Sequence, residues 1–330
     1  MKQILRNILS IRRLSILSAG LFALFAGPRL AAAEREIALT RDFGTLYGTL
    51  VVPDGPPAET VVVMIAGSGP TDRDCNNRLG IRTNAFRYLA EALEKAGIAS
   101  LRYDKRGIAQ SVYDDPERLS EVVFEDFVAD AAAWVDHLAG EGFRKIVLLG
   151  HSEGATIALC AAQGNPRITA VIEVSGAGHP LDFILQGQLA QQLATTDPGL
   201  YIRATGIIDA LRHGKRVDDI PQPLTALFDP SVQPFLISAF RYDPCRLIAA
   251  LEIPVLILQG DNDLQVPAAE ADALADAQPR ARKVVVKGMT HTLKKSDGRT
   301  LNEQLAAYTD STLALAPELT EAVTEFIGAL

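Results

Sequence analysis

The stretch that decides the fold is KIVLLGHSEGA, residues 145–155. An apolar run stops at Gly150, Ser152 follows two places later and Gly154 two places after that. The run reads as a buried strand, and the apolar residues after Gly154 read as a helix over 153–163. Strand, Gly-x-Ser-x-Gly and helix together predict a sharp turn that lifts a serine oxygen above the end of a sheet. It also points the first amides of the helix at the same space. On its own, a serine between glycines is equally a small polar residue in a tight turn, so the rest of the chain has to supply its partners.

Outward from this point, strand and helix alternate. EIALT (36–40) and TLYGTLVVP (45–53) predict an antiparallel start, and VVVMIA (61–66) has the apolar, β-branched character of a central buried strand. A helix over 84–96, a strand IASLRY (98–103) and an amphipathic helix over 121–139 follow. In that helix Phe124, Phe127, Ala131, Val135 and Leu138 recur at steps of three and four. After the serine turn comes a strand TAVIEVS (169–175). The alternation then breaks over 177–250 and resumes with PVLILQG (254–260), a helix near 268–277, KVVVKG (283–288) and a helix over 317–328. The expectation is an α/β protein with a mostly parallel central sheet covered on both faces. Its core runs over 34–176 and 251–330, and a helical cap over 177–250, too long for a plain connection, is inserted between strands.

The N-terminus differs in composition. Residues 1–33 carry Lys2, Arg6, Arg12, Arg13 and Arg29 and no acidic residue, and LSILSAGLFALFAGP lies between the arginines. That run of about 15 residues is short for a membrane span and suits the middle of a signal peptide. Ala31-Ala32-Ala33 offers a cleavage site, so the expected mature chain starts near Glu34, is periplasmic or extracellular, and keeps no membrane anchor; the bland alternative is an uncleaved anchor. Arg12-Arg13 leaves both general secretion and the twin-arginine route open. The chain has 32 basic and 40 acidic residues; without the five basic residues of the leader, 27 remain against 40, a net charge near −13. Such a chain repels phosphate backbones, so nucleic acid is not an expected partner. Cys75, Cys160 and Cys245 allow at most one disulfide, and histidines and cysteines lack metal-ligand spacing, so neither metal nor cofactor is expected.

A serine hydroxyl needs a base to become a nucleophile. Of the five histidines, His291 in KGMTHTLK lies just past the last predicted strand, at the sheet edge where open parallel sheets meet their ligands. His151, beside Ser152 on a tight turn, is expected to point away and serve packing or hydrogen bonding; His137 lies mid-helix, and His179 and His213 fall in the insertion. LILQGDNDLQVP (256–267) offers Asp261 and Asp263 to orient the base, and periodicity does not separate them; the bland reading of Asp261 is a turn cap. The oxyanion donors are expected to be the amide of Glu153 and, from the loop IAGSGPTDRD (65–74), the amide of Ser68, with Gly67 allowing close approach. A phosphate loop would want Gly-Lys-Ser/Thr, which is missing from that loop.

With these residues placed, the sequence resembles the α/β-hydrolase fold, and within it a group of bacterial serine esterases with Gly-Ser-Gly-Pro-x-Asp-Arg-Asp after the first parallel strand, here Gly67–Asp74. YDKRG (103–107), GHSEG (150–154), SVQPFLISAFRYDP (231–244), QGDNDLQV (259–266) and MTHTLK (289–294) extend the resemblance over essentially the whole mature chain; serine aminopeptidase-like hydrolases are relatives. The resemblance implies that the acid is the aspartate of Gly-x-x-Asp-x-x-Val, which is Asp263 between Gly260 and Val266. It also implies a carboxylesterase acting on small acyl esters. Two departures are Ala109 and Cys75, both where the group has glycine. Asp72, Arg73, Asp74, Asp104 and Arg106 read as a loop-bracing charge network. The insertion is expected to roof an apolar acyl pocket with Phe183, Leu189, Phe235 and Phe240, unless these form the cap's own core. An aminopeptidase, thioesterase or lactonase on the same fold, or a binding protein that retains the fold without catalysis, are the rival readings.

Overall fold

The computed structural model describes residues 33–330, so the expected signal peptide, but for its last residue Ala33, lies outside the described residues. The strands are β1 (Ala33–Arg41), β2 (Gly44–Val52), β3 (Thr60–Ile65), β4 (Ala99–Tyr103), β5 (Lys145–His151), β6 (Ile168–Val174), β7 (Val255–Gly260) and β8 (Arg282–Val286). They form one sheet in the order β1-β2-β4-β3-β5-β6-β7-β8. β1 and β2 run antiparallel to their neighbours, and every pairing from β4 to β8 is parallel. The chain's direction across the sheet therefore reverses at β3, which opens a crevice at the carboxyl ends of β3 and β5.

The strand residues alternate between two cores, as the period of two requires. Val61, Val63 and Ile65 of β3 face one core, together with Trp134 and Val135 of α2 (Phe124–Gly140), Ile157 of α3 (Glu153–Ala162) and Leu274 of the helix over 268–277. Val62 and Met64 face the other, with Phe86, Leu89 and Leu93 of α1 (Ala85–Lys95) and Leu319, Val323 and Phe326 of the final helix over 317–328. Both faces are thus covered, and polar chemistry is left to the strand ends.

Between β6 and β7 the chain runs through α4 (Leu181–Leu193), α5 (Pro198–Arg212), α6 (Thr225–Phe228), α7 (Gln233–Ala239) and α8 (Pro244–Ala249). These helices bury a cluster of their own around Ile208, Leu211 and Phe228. After β7 come α9 (Ala268–Ala277), α10 (Leu305–Thr309) and α11 (Pro317–Gly328). α10, for which the sequence shows no helical pattern, is one short turn with Ala307 buried. No helix among the described residues is long and apolar enough to cross a membrane. None of the three cysteines is paired.

Both positions that stand in for glycine adopt left-handed backbone, Cys75 at φ 66° and Ala109 at φ 47°. The loop shape is therefore kept without glycine, at a steric cost of roughly 1 kcal/mol per residue.

Candidate active site

Ser152 sits between β5 and α3 at φ 55°, ψ −122°. A non-glycine residue holds this conformation only where its surroundings over-determine it. The surroundings are the two glycines of the motif. A Cβ on Gly150 would lie 2.1 Å from the Gly154 carbonyl oxygen, and one on Gly154 would lie 2.1 Å from the Ile65 carbonyl oxygen. The Ser152 amide donates to the Val174 carbonyl of β6 at 2.9 Å, which pins the turn to the sheet.

Across the sheet, His291 follows β8 and Asp263 follows β7. His291 Nδ1 and Asp263 Oδ2 are 2.8 Å apart and buried. Since the carboxylate accepts, Nδ1 carries the proton and Nε2 is left for chemistry. Asp263 Oδ1 accepts from the amides of Gln265 (2.8 Å) and Val266 (2.9 Å). Burial alone would raise its pKa, but the charge and hydrogen bond of His291 and these two amides outweigh it and hold the carboxyl below its ordinary range. Asp261 makes no such contact. Its Oδ1 accepts from the Gly288 amide at 2.6 Å, bracing the loop after β8.

Ser152 borders two cavities. The first, about 100 Å³, is lined by Gly67, Ser68, Cys75, His151, Ser152, His291 and Tyr308 among others. The second, about 120 Å³, is lined by Ser68, Ser152, Glu153, Phe124, Ile184 and Leu185 among others and lies against α4 and α8. Ser68, Ser152 and Gln265 border both, whereas His291 borders only the first. Gly67 is close enough to Ser152 that a Cβ on it would come within 3.1 Å of the serine Cβ.

The structure places several expected residues elsewhere. Phe183 is 53% exposed and stacks on His179. Leu189 and Phe240 are buried in the insertion's own core. Phe235 packs on Phe124 and Phe127 and borders neither of the two cavities. The insertion instead lends Leu181, Ile184, Leu185, Gln188, Ala239 and Tyr242 to the second cavity. Of the aromatics, Phe235 and Phe240 are used in packing between helices, whereas Phe183 stays on the surface. His151 is a second correction: it does not point away. Its Nε2 donates to the His291 carbonyl at 2.8 Å and its ring lies 4.8 Å from that of His291. Burial first, and the neighbouring His291 second, push its pKa down to about 3, so it is a neutral support under the His291 loop. His179 borders the second cavity with Nδ1 held by Glu270 at 2.9 Å.

The loop charges pair as a network, with wider reach than the sequence suggested. Arg73 grips Asp104 through both its guanidinium and its amide, each at 2.7 Å, and Arg102 reaches Asp74 at 2.6 Å. Arg106 turns away to Asp130 and Asp126 of α2. Lys105, a member of YDKRG for which no role was expected, is buried between the Gly67 carbonyl and the Glu153 carboxylate. Nothing in composition marks it, because its partners come from two distant loops.

The mostly parallel sheet, the serine turn at its switch point and the histidine at its last strand end define an α/β-hydrolase fold. The chain belongs to the Hydrolase_4 family, described as serine aminopeptidase, S33, whose model matches residues 76–296. Esterase EstD of Thermotoga maritima is 28% identical over 222 residues, 67% of this chain and 50% of its own length, so the match spans half of that relative. Est1E from Butyrivibrio proteoclasticus has the same fold, with a TM-score of 0.56 at 20% identity over 89% of this chain and 98% of that one. So has a malate-bound thermophilic esterase from Thermogutta terrifontis, with a TM-score of 0.54 at 22% identity over 90% of this chain and 99% of that one.

Proposed function

We propose that the protein is a serine hydrolase of small carboxylic esters, with Ser152 as nucleophile, His291 as base and Asp263 as the acid that orients it. The observation that carries this reading is the Asp263–His291 pair, which leaves Nε2 free on the wall of a cavity that Ser152 also borders. Ser152 Oγ attacks the ester carbonyl and gives its proton to His291 Nε2. The amides of Ser68 and Glu153 hold the oxyanion. His291 returns the proton to the leaving alkoxide, and water repeats the sequence to release the acid. The proton donor must lie beside the leaving oxygen, so the alcohol portion belongs in the first cavity, the one His291 borders. The acyl portion then belongs in the second, against Phe124, Leu181, Ile184 and Leu185.

The family description raises a peptidase as the second reading. An aminopeptidase would need an uncommitted carboxylate for the substrate ammonium. Among the described residues the first cavity has no acidic lining residue, and the one acidic residue lining the second is Glu153, which Lys105 pairs at 2.8 Å. This favours esters. The names of EstD, Est1E and the Thermogutta protein point the same way.

The test is a panel of short aryl esters, thioesters and amino-terminal peptide amides, with Ser152→Ala as control. Ester turnover should exceed amide turnover. Ser152→Ala should lose at least about a thousandfold in kcat and all labelling by a fluorophosphonate. Preferred amide cleavage would select the peptidase, and unchanged labelling of Ser152→Ala would remove the serine mechanism.

A further inference from the structure

Among the buried cations that the mechanism above leaves unused, Lys105 is the one that holds the Gly67 carbonyl and the Glu153 carboxylate together. Lys105 follows β4, its residue is 3% exposed, and its Nζ donates to the Gly67 carbonyl at 2.7 Å and to Glu153 Oε1 at 2.8 Å. The ring of Phe127 lies 5.3 Å away on another side. An ammonium loses several kcal/mol of hydration on burial, and a pair with one carboxylate does not by itself make that favourable. A surface arginine closes a loop at far lower cost, as Arg118 does with Asp42 on this protein.

The two partners of Lys105 are informative. Gly67 and Ser68 share a peptide, and a trans peptide holds its carbonyl and its N–H on opposite sides of one rigid plane. Fixing the Gly67 carbonyl on Lys105 therefore fixes the direction of the Ser68 N–H. Glu153 opens α3, and its amide is one of the first-turn donors without an intrahelical acceptor. Anchoring its side chain on the same ammonium limits rotation at that residue. One cation thus holds both loops from which the oxyanion donors come. The other loop charges do something different, since Arg73, Arg102 and Arg106 grip carboxylates of Asp104, Asp74 and Asp130 and touch neither donor peptide.

We infer that Lys105 is a positioning residue for the oxyanion hole: by holding the Gly67 carbonyl and the Glu153 side chain it sets the two amides that stabilise the transition state. The inference rests on the esterase reading. It is a claim about transition-state binding, so it separates from a merely structural brace.

The experiment uses the mature protein with 4-nitrophenyl butyrate as substrate, a short-chain trifluoromethyl ketone as transition-state analogue and butyrate as product inhibitor. The variants are Lys105→Met, Lys105→Arg and the double variant Lys105→Met with Glu153→Met. The double variant replaces the buried pair by apolar groups of similar volume, a change that commonly preserves stability, and it keeps the Glu153 amide. A single oxyanion donor is worth about 10²–10³ in kcat, so misaiming it should lower kcat by about 10–100-fold in Lys105→Met and in the double variant. KM should stay within about threefold, because binding common to ground and transition states is untouched. The inhibition constant of the ketone should rise in step with the loss in kcat, while that of butyrate stays put. Lys105→Arg, which can still donate to both partners, should fall between wild type and Lys105→Met. The inference is overturned if the double variant, with a wild-type melting curve, keeps kcat within about threefold of wild type, or if kcat falls while the ketone binds as before. Ser152→Ala runs alongside: if it keeps activity, the esterase reading fails and takes this one with it, whereas an inactive Ser152→Ala beside an active double variant sinks the Lys105 inference alone.

Discussion

Glu173 near the end of β6 and Asp263 just past β7 are carboxyl groups on neighbouring strands, and both are buried, at 1% and 8% exposure. Their ionisation differs in opposite directions. Asp263 has the imidazole of His291 and the amides of Gln265 and Val266, and is held below the ordinary carboxylate range. Glu173 has no cation beside it, and neither of its oxygens has a hydrogen-bond partner of good geometry. Burial pushes its pKa up to about 8, against the weaker pull of the Gly176 amide. Burial therefore does not decide charge; partners do. Asp263 is thus held as an anion where a histidine needs it, and on the strand beside it burial favours the neutral form of Glu173.

The largest effect should come from removing the anion while keeping its shape. Asp263→Asn leaves the packing but presents an amide to Nδ1, which disfavours the tautomer that leaves Nε2 as the base. A loss of about 10⁴ in kcat is expected, with a melting temperature close to wild type. Steady-state kinetics on the ester substrate check it. A variant within tenfold of wild type would mean that another group orients His291.

The neutral acid should show itself in stability instead. Below the ordinary glutamate value near 4.5, native and unfolded chains both hold the proton. Between that value and about 8 the native chain keeps a proton that the unfolded chain has released, so the contribution of Glu173 to stability declines as pH rises. Glu173→Gln is nearly isosteric with the protonated acid and has no proton to lose. Urea unfolding should find the variant close to wild type at pH 4.5 and more stable at pH 8, by on the order of a few kcal/mol. Its kcat should stay within about threefold, because Glu173 borders neither cavity. A stability difference independent of pH would show that Glu173 is ionised in the native state.

How far such contrasts are legible in a sequence depends on how local their causes are. The strands and long helices were legible because alternation and the three-to-four repeat are local, and the Gly-x-Ser-x-Gly turn was legible because Gly150 and Gly154 are required by contacts within one loop and its neighbouring strand. The choice of Asp263 over Asp261 came from resemblance alone, since both follow the same strand. The left-handed backbone at Cys75 and Ala109 was foreshadowed in the same way, as the two places where glycine is usual. The cavity lining was not legible. Whether Leu185 or Leu189 of one helix faces the site depends on how α4 packs against the core, and no periodic pattern in 177–250 fixes that. Lys105 and Glu173 were missed for the same physical reason: each reads as an ordinary charged residue until distant parts of the chain close over it.

The smallest effect sharpens the contrast between the two aspartates that follow β7. Asp261 accepts from the Gly288 amide at 2.6 Å, and Gly288 turns the chain after β8 at φ 72°. It thereby ties the loop that carries Asp263 to the loop that carries His291, without touching the imidazole. Asp261→Asn keeps an oxygen for that amide, so kcat should stay within about threefold and stability within about 1 kcal/mol of wild type. Asp261→Ala removes the acceptor and should cost about 1 kcal/mol, with a modest fall in kcat as the two loops loosen. Thermal melts and ester kinetics on the two variants read both quantities at once. If Asp261→Asn instead lost activity while Asp263→Asn kept it, the carboxylate facing Nδ1 would not be the one that matters, and the assignment of partners at this sheet edge would have to be exchanged.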